Sequence, residues 1–271
     1  MSAKSKSEFR ANLMASALTG ATTICLTNPL DTMRCRWQVG AQPQDTLAGF
    51  VRHIIKVEGL WRGLWRPGLP ANMTAMAIAI GGRNGFYPPV RDGLGLACGG
   101  TEKVGPVGMF AAGLMAGMIG YLCASPLLQV KTQMQVEAGL LGESGLYETG
   151  VRSGCSPTYS SSMQALRTLA TEGGVQSLWR GAGIVVGRGA ALSASQLAAY
   201  DGTKTFLKAH HGWTDGPQLH VIAAQVGAMS CTTFSMPLDT VLTFYASAPT
   251  LGAAQRERYA SGGPLACAVA M

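Results

Sequence analysis

Asn28-Pro29-Leu30-Asp31-Thr32-Met33-Arg34-Cys35-Arg36-Trp37-Gln38 closes a stretch, residues 11–30, that carries no Asp, Glu, Lys or Arg. The pattern returns as Ser125-Pro126-Leu127-Leu128-Gln129-Val130-Lys131-Thr132-Gln133-Met134-Gln135, and again as Met236-Pro237-Leu238-Asp239-Thr240-Val241-Leu242. Copies spaced by about a hundred residues are multi-helix units, not turns of a short solenoid. A proline late in a helix removes a backbone donor and bends the helix. Charges just beyond such a bend are costly in or near lipid, so they should face inward and pair.

Composition supports a bilayer. Of 271 residues, 47% are hydrophobic and 13% charged, about half the usual charged share. Residues 67–82, 104–130 and 216–238 are also free of formal charge, and 181–200 carries only Arg188. A spanning helix needs about 20 mostly apolar residues, so five spans are expected, the second crowded at its start by Pro67, Gly68 and Pro70. The net charge of +7 comes from basic residues spread through loops, without the aromatic interleaving of a nucleic-acid surface. Basic loops between spans fit membrane topology instead. Seven cysteines form no CxxC pair, and Cys25, Cys123 and Cys231 lie in apolar runs, so neither a metal nor a cofactor is expected. An enzyme is not expected either: no phosphate-cradling Gly loop follows a strand, and His53, His210, His211 and His220 lack a neighbouring nucleophile and acid.

Each repeat reads as span, basic linker, span. The expected division is 1–101, 102–213 with a longer loop at 137–157, and 214–271. Glu58-Gly59 before Leu64-Trp65-Arg66 is echoed by Glu172-Gly173 before Leu178-Trp179-Arg180-Gly181. Short amphipathic helices should precede both, built on Phe50, Ile54 and Ile55, and on Met163, Leu166 and Leu169. The Gly- and Ser-rich 137–157 reads as a mobile insertion. Gly113 and Gly117 form a GxxxG step expected to admit a close helix neighbour. After the fifth span only a linker start follows, Arg256-Glu257-Arg258-Tyr259, so the third repeat is expected to be truncated, with its sixth span missing.

The proline copies predict a ring in which Asp31 pairs with Lys131 and Asp239 with Arg34. The third pair, Gln129 with Leu242, has lost both charges together, so no charge is stranded.

This repeated P-x-[DE]-x-x-[KR] pattern resembles the mitochondrial carrier family of inner-membrane solute transporters. So do Trp179-Arg180-Gly181 and Tyr200-Asp201-Gly202-Thr203-Lys204. The resemblance implies an all-α bundle of three two-helix repeats with pseudo-threefold symmetry, multi-pass in the mitochondrial inner membrane. It implies alternating-access exchange of a small anionic metabolite: a dicarboxylate, keto acid or inorganic anion. Its implied partners are that anion and lipids such as cardiolipin, with no nucleic acid, acting as a monomer. The implied matrix gate is Asp31, Arg34, Lys131 and Asp239, braced by Gln38 and Gln135, with helix kinks at Pro29, Pro126 and Pro237. Leu242, Ala246, Gln129 and Pro88 depart from the pattern. A degenerate, non-transporting carrier-like protein with a binding or scaffold role is the alternative.

Within the even-numbered spans, Arg83 and Arg188 are the candidate anion ligands, since a buried Arg usually pairs or binds an anion. Arg188 with Gly189 follows Trp179 at the family's spacing for the fourth-helix substrate contact. The second-helix contact falls at Thr74, Ala75 and Met76. Ser193-Ala194-Ser195-Gln196-Leu197 is similar to the oxaloacetate-carrier-like branch.

Overall fold

The computed structural model describes residues 3–40, 46–97, 106–248, 251 and 263–270. Five long helices stand on the charge-free stretches: α1 (Ala3–Val39), α3 (Leu69–Ala97), α4 (Pro106–Glu137), α7 (Ala182–His211) and α8 (Pro217–Ser247). Between them lie α2 (Leu47–Val57), a π-helical turn at Trp61–Trp65, α5 (Ser162–Glu172) and the one-turn α6 (Gly174–Ser177). A short α9 (Gly263–Ala270) packs against α8. Arg256 to Tyr259 lies outside the described residues. Among the described residues, two helices are long and apolar enough to cross a membrane, Gly108–Glu137 and Pro217–Ser247, with 18-residue stretches of mean hydropathy 1.6 and 1.3. In α1 threonines dilute the apolarity, yet their hydroxyls are satisfied locally: Thr19, Thr23 and Thr27 donate to the carbonyls four residues back at 2.8–3.0 Å. Such back-bonding hides a hydroxyl on its own helix.

The distribution of polarity is that of a bundle in lipid. Asn28, Thr32, Gln133, Gln135 and Ser247 are fully buried, while Leu18, Leu26, Val221, Met229 and Phe234 are more than half exposed. Lipid tails are as apolar as Leu, so large apolar side chains cost nothing on the outside and the polar ones turn inward. α3 packs along α1 and α4, and α7 along α8. The tightest crossing is at Gly82 and Gly120. A Cβ on Gly120 would lie 2.5 Å from the Ala79 carbonyl, and one on Gly82 would lie 3.1 Å from Gly120 Cα. The expected step at Gly113 and Gly117 is not the closest approach. A Cβ there would meet only side chains, Tyr87 at 3.9 Å and Arg83 at 3.7 Å, because these glycines make room for two large side chains.

The three central prolines lie inside α1, α4 and α8. Each deprives the carbonyl four residues earlier of its partner. For Pro29 that carbonyl is Cys25 O, which accepts from Trp65 Nε1 at 2.7 Å. For Pro126 it is Leu122 O, which accepts from Trp179 Nε1 at 2.9 Å. The repeated Leu-Trp-Arg of the first two linkers thus returns an indole N–H to the turns opened by Pro29 and Pro126.

The linker helices form, and most of each expected face turns inward, Leu166 in part. Thr46 and Ser161 cap α2 and α5 through their side-chain oxygens. Phe50 and Ile54 are buried under Trp37, Met33 and Leu64, whereas Ile55 is 44% exposed. In α5 Ala165 and Leu169 are buried and Met163 is 60% exposed. Each turns to the side where α1 or α4 offers an apolar wall.

Residues 138–160 are ordered, contrary to the mobile insertion expected from their glycines and serines. Tyr147 N–H donates to Cys155 O (2.9 Å), Gly154 N–H to Tyr147 O (2.7 Å) and Glu148 N–H to Leu140 O (2.8 Å). Glu137 at the end of α4 accepts from Thr158 N–H at 2.5 Å and pairs with Arg152 at 3.5 Å. Burial, and after it the Glu137 charge, pushes the Tyr147 phenol up to about 12. Val151 packs against Val39, Val136 and Leu251, where α1 and α4 converge.

Candidate functional site

Below the prolines, α1, α4 and α8 bring their charges together. Lys131 Nζ lies 2.5 Å from Asp31 Oδ2, and Arg34 Nη2 lies 3.2 Å from Asp239 Oδ2. The Asp239 side chain is only 7% exposed. Asn72 on α3 donates to Asp31 Oδ2 at 3.1 Å. Gln135 Nε2 donates to Asn28 Oδ1 and Thr32 Oγ1, both at 3.2 Å, and Gln38 Nε2 to Thr240 Oγ1 at 3.2 Å. These glutamines cross from one helix to another at the level of the two ion pairs. Gln129, turned to donate, bonds Ser177 O (2.9 Å) and Leu178 O (3.2 Å). It therefore needs no charged partner at Leu242.

Arg188 is not the unpaired charge its span suggests. It makes an ion pair with Asp239 Oδ1 across the α7–α8 interface. One carboxylate thus holds two guanidiniums. A cavity of about 80 Å³ joins these groups, lined by Asp31, Asp239, Arg34, Lys131, Arg180 and Arg188, with Leu242 on its wall. Among the described residues, three of these cations, Arg34, Lys131 and Arg188, share the two carboxylates. Arg180 is further placed over the Tyr245 ring, 4.5 Å from its centroid, a cation–π arrangement.

Arg83 occupies a different cavity, of about 340 Å³, between α3, α4 and α7. Tyr87, Phe110, Tyr121 and Gly189 line it too, and among the described residues no acidic side chain does. The structure therefore separates the two candidate arginines: Gly189 faces the larger cavity and its neighbour Arg188 the smaller. Tyr121 stands between α4 and α7 there, its ring 4.0 Å from where a Gly189 Cβ would be. Thr74, Ala75 and Met76 line neither cavity. Thr74 is exposed and donates back to Pro70 O (2.8 Å), Ala75 is fully buried, and the Met76 backbone lies against Gly20 of α1. A helix turns about 100° per residue, so a register uncertain by one residue moves a side chain off the cavity wall. Ser195 Oγ donates to Ala191 O (2.6 Å); the side chains of Ser193, Ala194, Gln196 and Leu197 lie outside the described residues.

Sequence reasoning missed the most deeply buried charges. Arg36 and Glu58, each 2% exposed, form a two-pronged pair at 2.6 and 2.7 Å, and Arg36 also donates to Gly63 O at 3.0 Å. Thr149 of the ordered loop donates to Glu58 Oε1 at 2.6 Å. The signal was present: Arg36 lies five residues after Asp31, and Glu58 opens the linker motif. The second repeat has Gln133 in place of Arg36 and leaves Glu172 exposed.

At the far ends of α7 and α8, Asp215 gathers Lys208 (2.7 Å), Lys204 (3.5 Å) and His220 (3.1 Å), while Tyr200 Oη lies 2.6 Å from His220 Nδ1. The hydrogen bond from Lys208, helped by the Lys204 charge, holds the Asp215 carboxyl below the usual carboxylate range. Among the described residues, no cluster of His, Cys, Asp and Glu could hold a metal ion.

Comparison with known proteins identifies the family. Residues 5–95 and 102–211 match the family described as Mitochondrial carrier protein. Mitochondrial uncoupling protein 1 of Arabidopsis thaliana is 30% identical over 79% of this chain and 69% of its own length. Mitochondrial citrate transporter E of Aspergillus niger is 31% identical over 84% of this chain and 72% of its own. The mitochondrial oxaloacetate transport protein of Saccharomyces cerevisiae is 28% identical over 86% and 71%. The chain belongs to the mitochondrial carrier family, whose members are transporters and not enzymes.

Proposed function

We propose that this protein exchanges a small anionic metabolite across the mitochondrial inner membrane by alternating access. The observation that carries this reading is the cavity where, among the described residues, the three cations Arg34, Lys131 and Arg188 meet the two carboxylates Asp31 and Asp239. In a medium of low dielectric such an excess of positive charge is costly unless an anion shares the space. The relatives named for citrate and oxaloacetate transport support an anion as cargo.

Three repeats, 1–101, 102–213 and 214–271, each contribute one helix that carries the repeated proline pattern, α1, α4 and α8. Asp31–Lys131 and Arg34–Asp239 close one side, with Gln38 and Gln135 bracing the helices and Pro29, Pro126 and Pro237 setting their bends. Arg188 receives the anion beside the gate. Arg83, in the larger cavity with Gly189, draws it in. Uptake by proteoliposomes offered dicarboxylates, keto acids, sulfate and phosphate tests the reading. Saturable uptake that depends on an internal anion is expected; uptake no greater than that of protein-free liposomes would contradict it.

A further inference from the structure

We infer that residues 138–160 form a strap that holds the seam between α1 and α4 shut beyond the ion pairs, a second closure with release points of its own. Past Asp31–Lys131, toward the helix ends, α1 and α4 carry an apolar nest of Cys35, Val39 and Val136, joined by Leu251. All four are buried. Cys35 Sγ meets Gln135 Oε1 of α4 at 3.4 Å across this seam, and Val151 of the loop packs on the nest.

The loop is fastened unequally to the two helices. On the α4 side, Glu137 accepts from Thr158 N–H at 2.5 Å and pairs with Arg152 at 3.5 Å. Thr149 Oγ1 accepts from Leu140 N–H at 2.8 Å, three residues past the end of α4. Gly150, at φ +89°, lies so close that a Cβ there would sit 2.7 Å from Ala138 O. On the α1 side, the same Thr149 hydroxyl gives its one proton to Glu58 Oε1 at 2.6 Å, and Val151 lies beside Val39. Glu58 is itself clamped to Arg36 of α1. Thr149 is thus the middle link of a line, Leu140–Thr149–Glu58–Arg36, that runs from the end of α4 to α1. A hydroxyl can serve both neighbours because it donates once and still accepts, and its bond to a carboxylate is of the stronger, charge-assisted kind. When α1 and α4 part, the α4 fastenings travel with the loop, whereas the Thr149–Glu58 bond and the Val151 contact must break. Breaking Asp31–Lys131 alone therefore leaves the seam closed.

Cys35, 4% exposed, reports the opening. The purified full chain in detergent is treated with a sulfonated maleimide, and each cysteine is followed by peptide mass spectrometry. A buried thiol that is reached only in a rapidly exchanging open form reacts in proportion to that form's population. Thr149→Val is expected to speed labelling of Cys35 about tenfold or more, and Val151→Ala about threefold or more. Thr149→Ser, which keeps the hydroxyl, should label like the unaltered chain. Cys25, half-buried earlier on α1, should keep its rate in all three variants. An unchanged Cys35 rate in either Thr149→Val or Val151→Ala would overturn the strap. So would an equal rise at Cys25, which marks general loosening of α1, or a Thr149→Ser variant as fast as Thr149→Val, which denies the hydroxyl its part. The test needs no solute, so its outcome is separate from that of the anion reading.

Discussion

Trp65 donates its indole N–H to the carbonyl of Cys25, the one acceptor that Pro29 strips of its helical partner. Trp179 does the same for Leu122 below Pro126. The bent helices are therefore held by a side chain from the following linker, so the bend and the linker are one structural unit. A proline kink without such a donor leaves a carbonyl unpaired where water is scarce, which costs about 1–3 kcal/mol.

Trp65→Phe keeps an aromatic ring and removes the donor. It should lower the midpoint of thermal unfolding in detergent by several degrees, and Trp179→Phe, at a more exposed site, by less. Midpoints unchanged by both substitutions would show that water replaces the indoles without loss.

Asp31 and Lys131 should act as a pair. Reversal of either charge is expected to reduce exchange about tenfold or more, and the double swap to restore part of it. Interhelical polar contacts in membranes average only about 0.6 kcal/mol, so the defect should fall on transport before folding. Initial rates in proteoliposomes are the readout, and a double swap no better than either single reversal would contradict the pairing.

Arg36 and Glu58 carry a larger penalty. Removing one partner of a buried ion pair typically costs about 3–5 kcal/mol, whereas replacing both with apolar residues is far milder. Glu58→Leu and Arg36→Leu should each sharply reduce the yield of folded protein, and the double variant should recover much of it. Thr149→Val, which removes the hydrogen bond to Glu58 and the one accepted from Leu140 N–H, should cost about 1–3 kcal/mol. Yields and unfolding midpoints measured together decide this; additive single losses would mean the two side chains are not energetically coupled.

Much of the fold was legible because lipid imposes a coarse rule: long stretches without charge become helices, and residues 11–30, 106–130 and 217–238 did. The ion pairs Asp31–Lys131 and Arg34–Asp239 could be anticipated because each follows a proline at a fixed offset. Arg188 could not be assigned its partner, since the rotation of α7 against α8 is set by packing and not by spacing along the chain. Composition misled at 137–157, where Gly and Ser suggested mobility but Thr149, Thr158 and Arg152 anchor the loop to Glu58 and Glu137. The tryptophan caps were readable in principle by counting four residues back from each proline. The GxxxG signal marked a site of small residues correctly but misnamed its use, since Gly117 yields its space to Arg83.

The two kinds of small residue should separate experimentally. Gly120→Leu should force α3 and α4 apart and abolish folded protein, because the obstacle at Ala79 is backbone. Gly117→Ala should be tolerated, because its Cβ would sit at ordinary contact distance, 3.7 Å, from the Arg83 side chain. Equal tolerance at the two positions, judged by monodispersity in detergent, would contradict the crossing described.

The most direct test of the cationic gate cavity is selectivity by charge. Proteoliposomes containing the full chain and loaded with unlabelled succinate are offered labelled succinate or labelled choline. Saturable succinate uptake that needs internal succinate, falls at least tenfold in Arg188→Gln, and has no counterpart for choline is the predicted result. Uptake of choline as fast as succinate, or no uptake of succinate above protein-free liposomes, would contradict anion exchange; the latter would favour a carrier-like protein that binds without transporting.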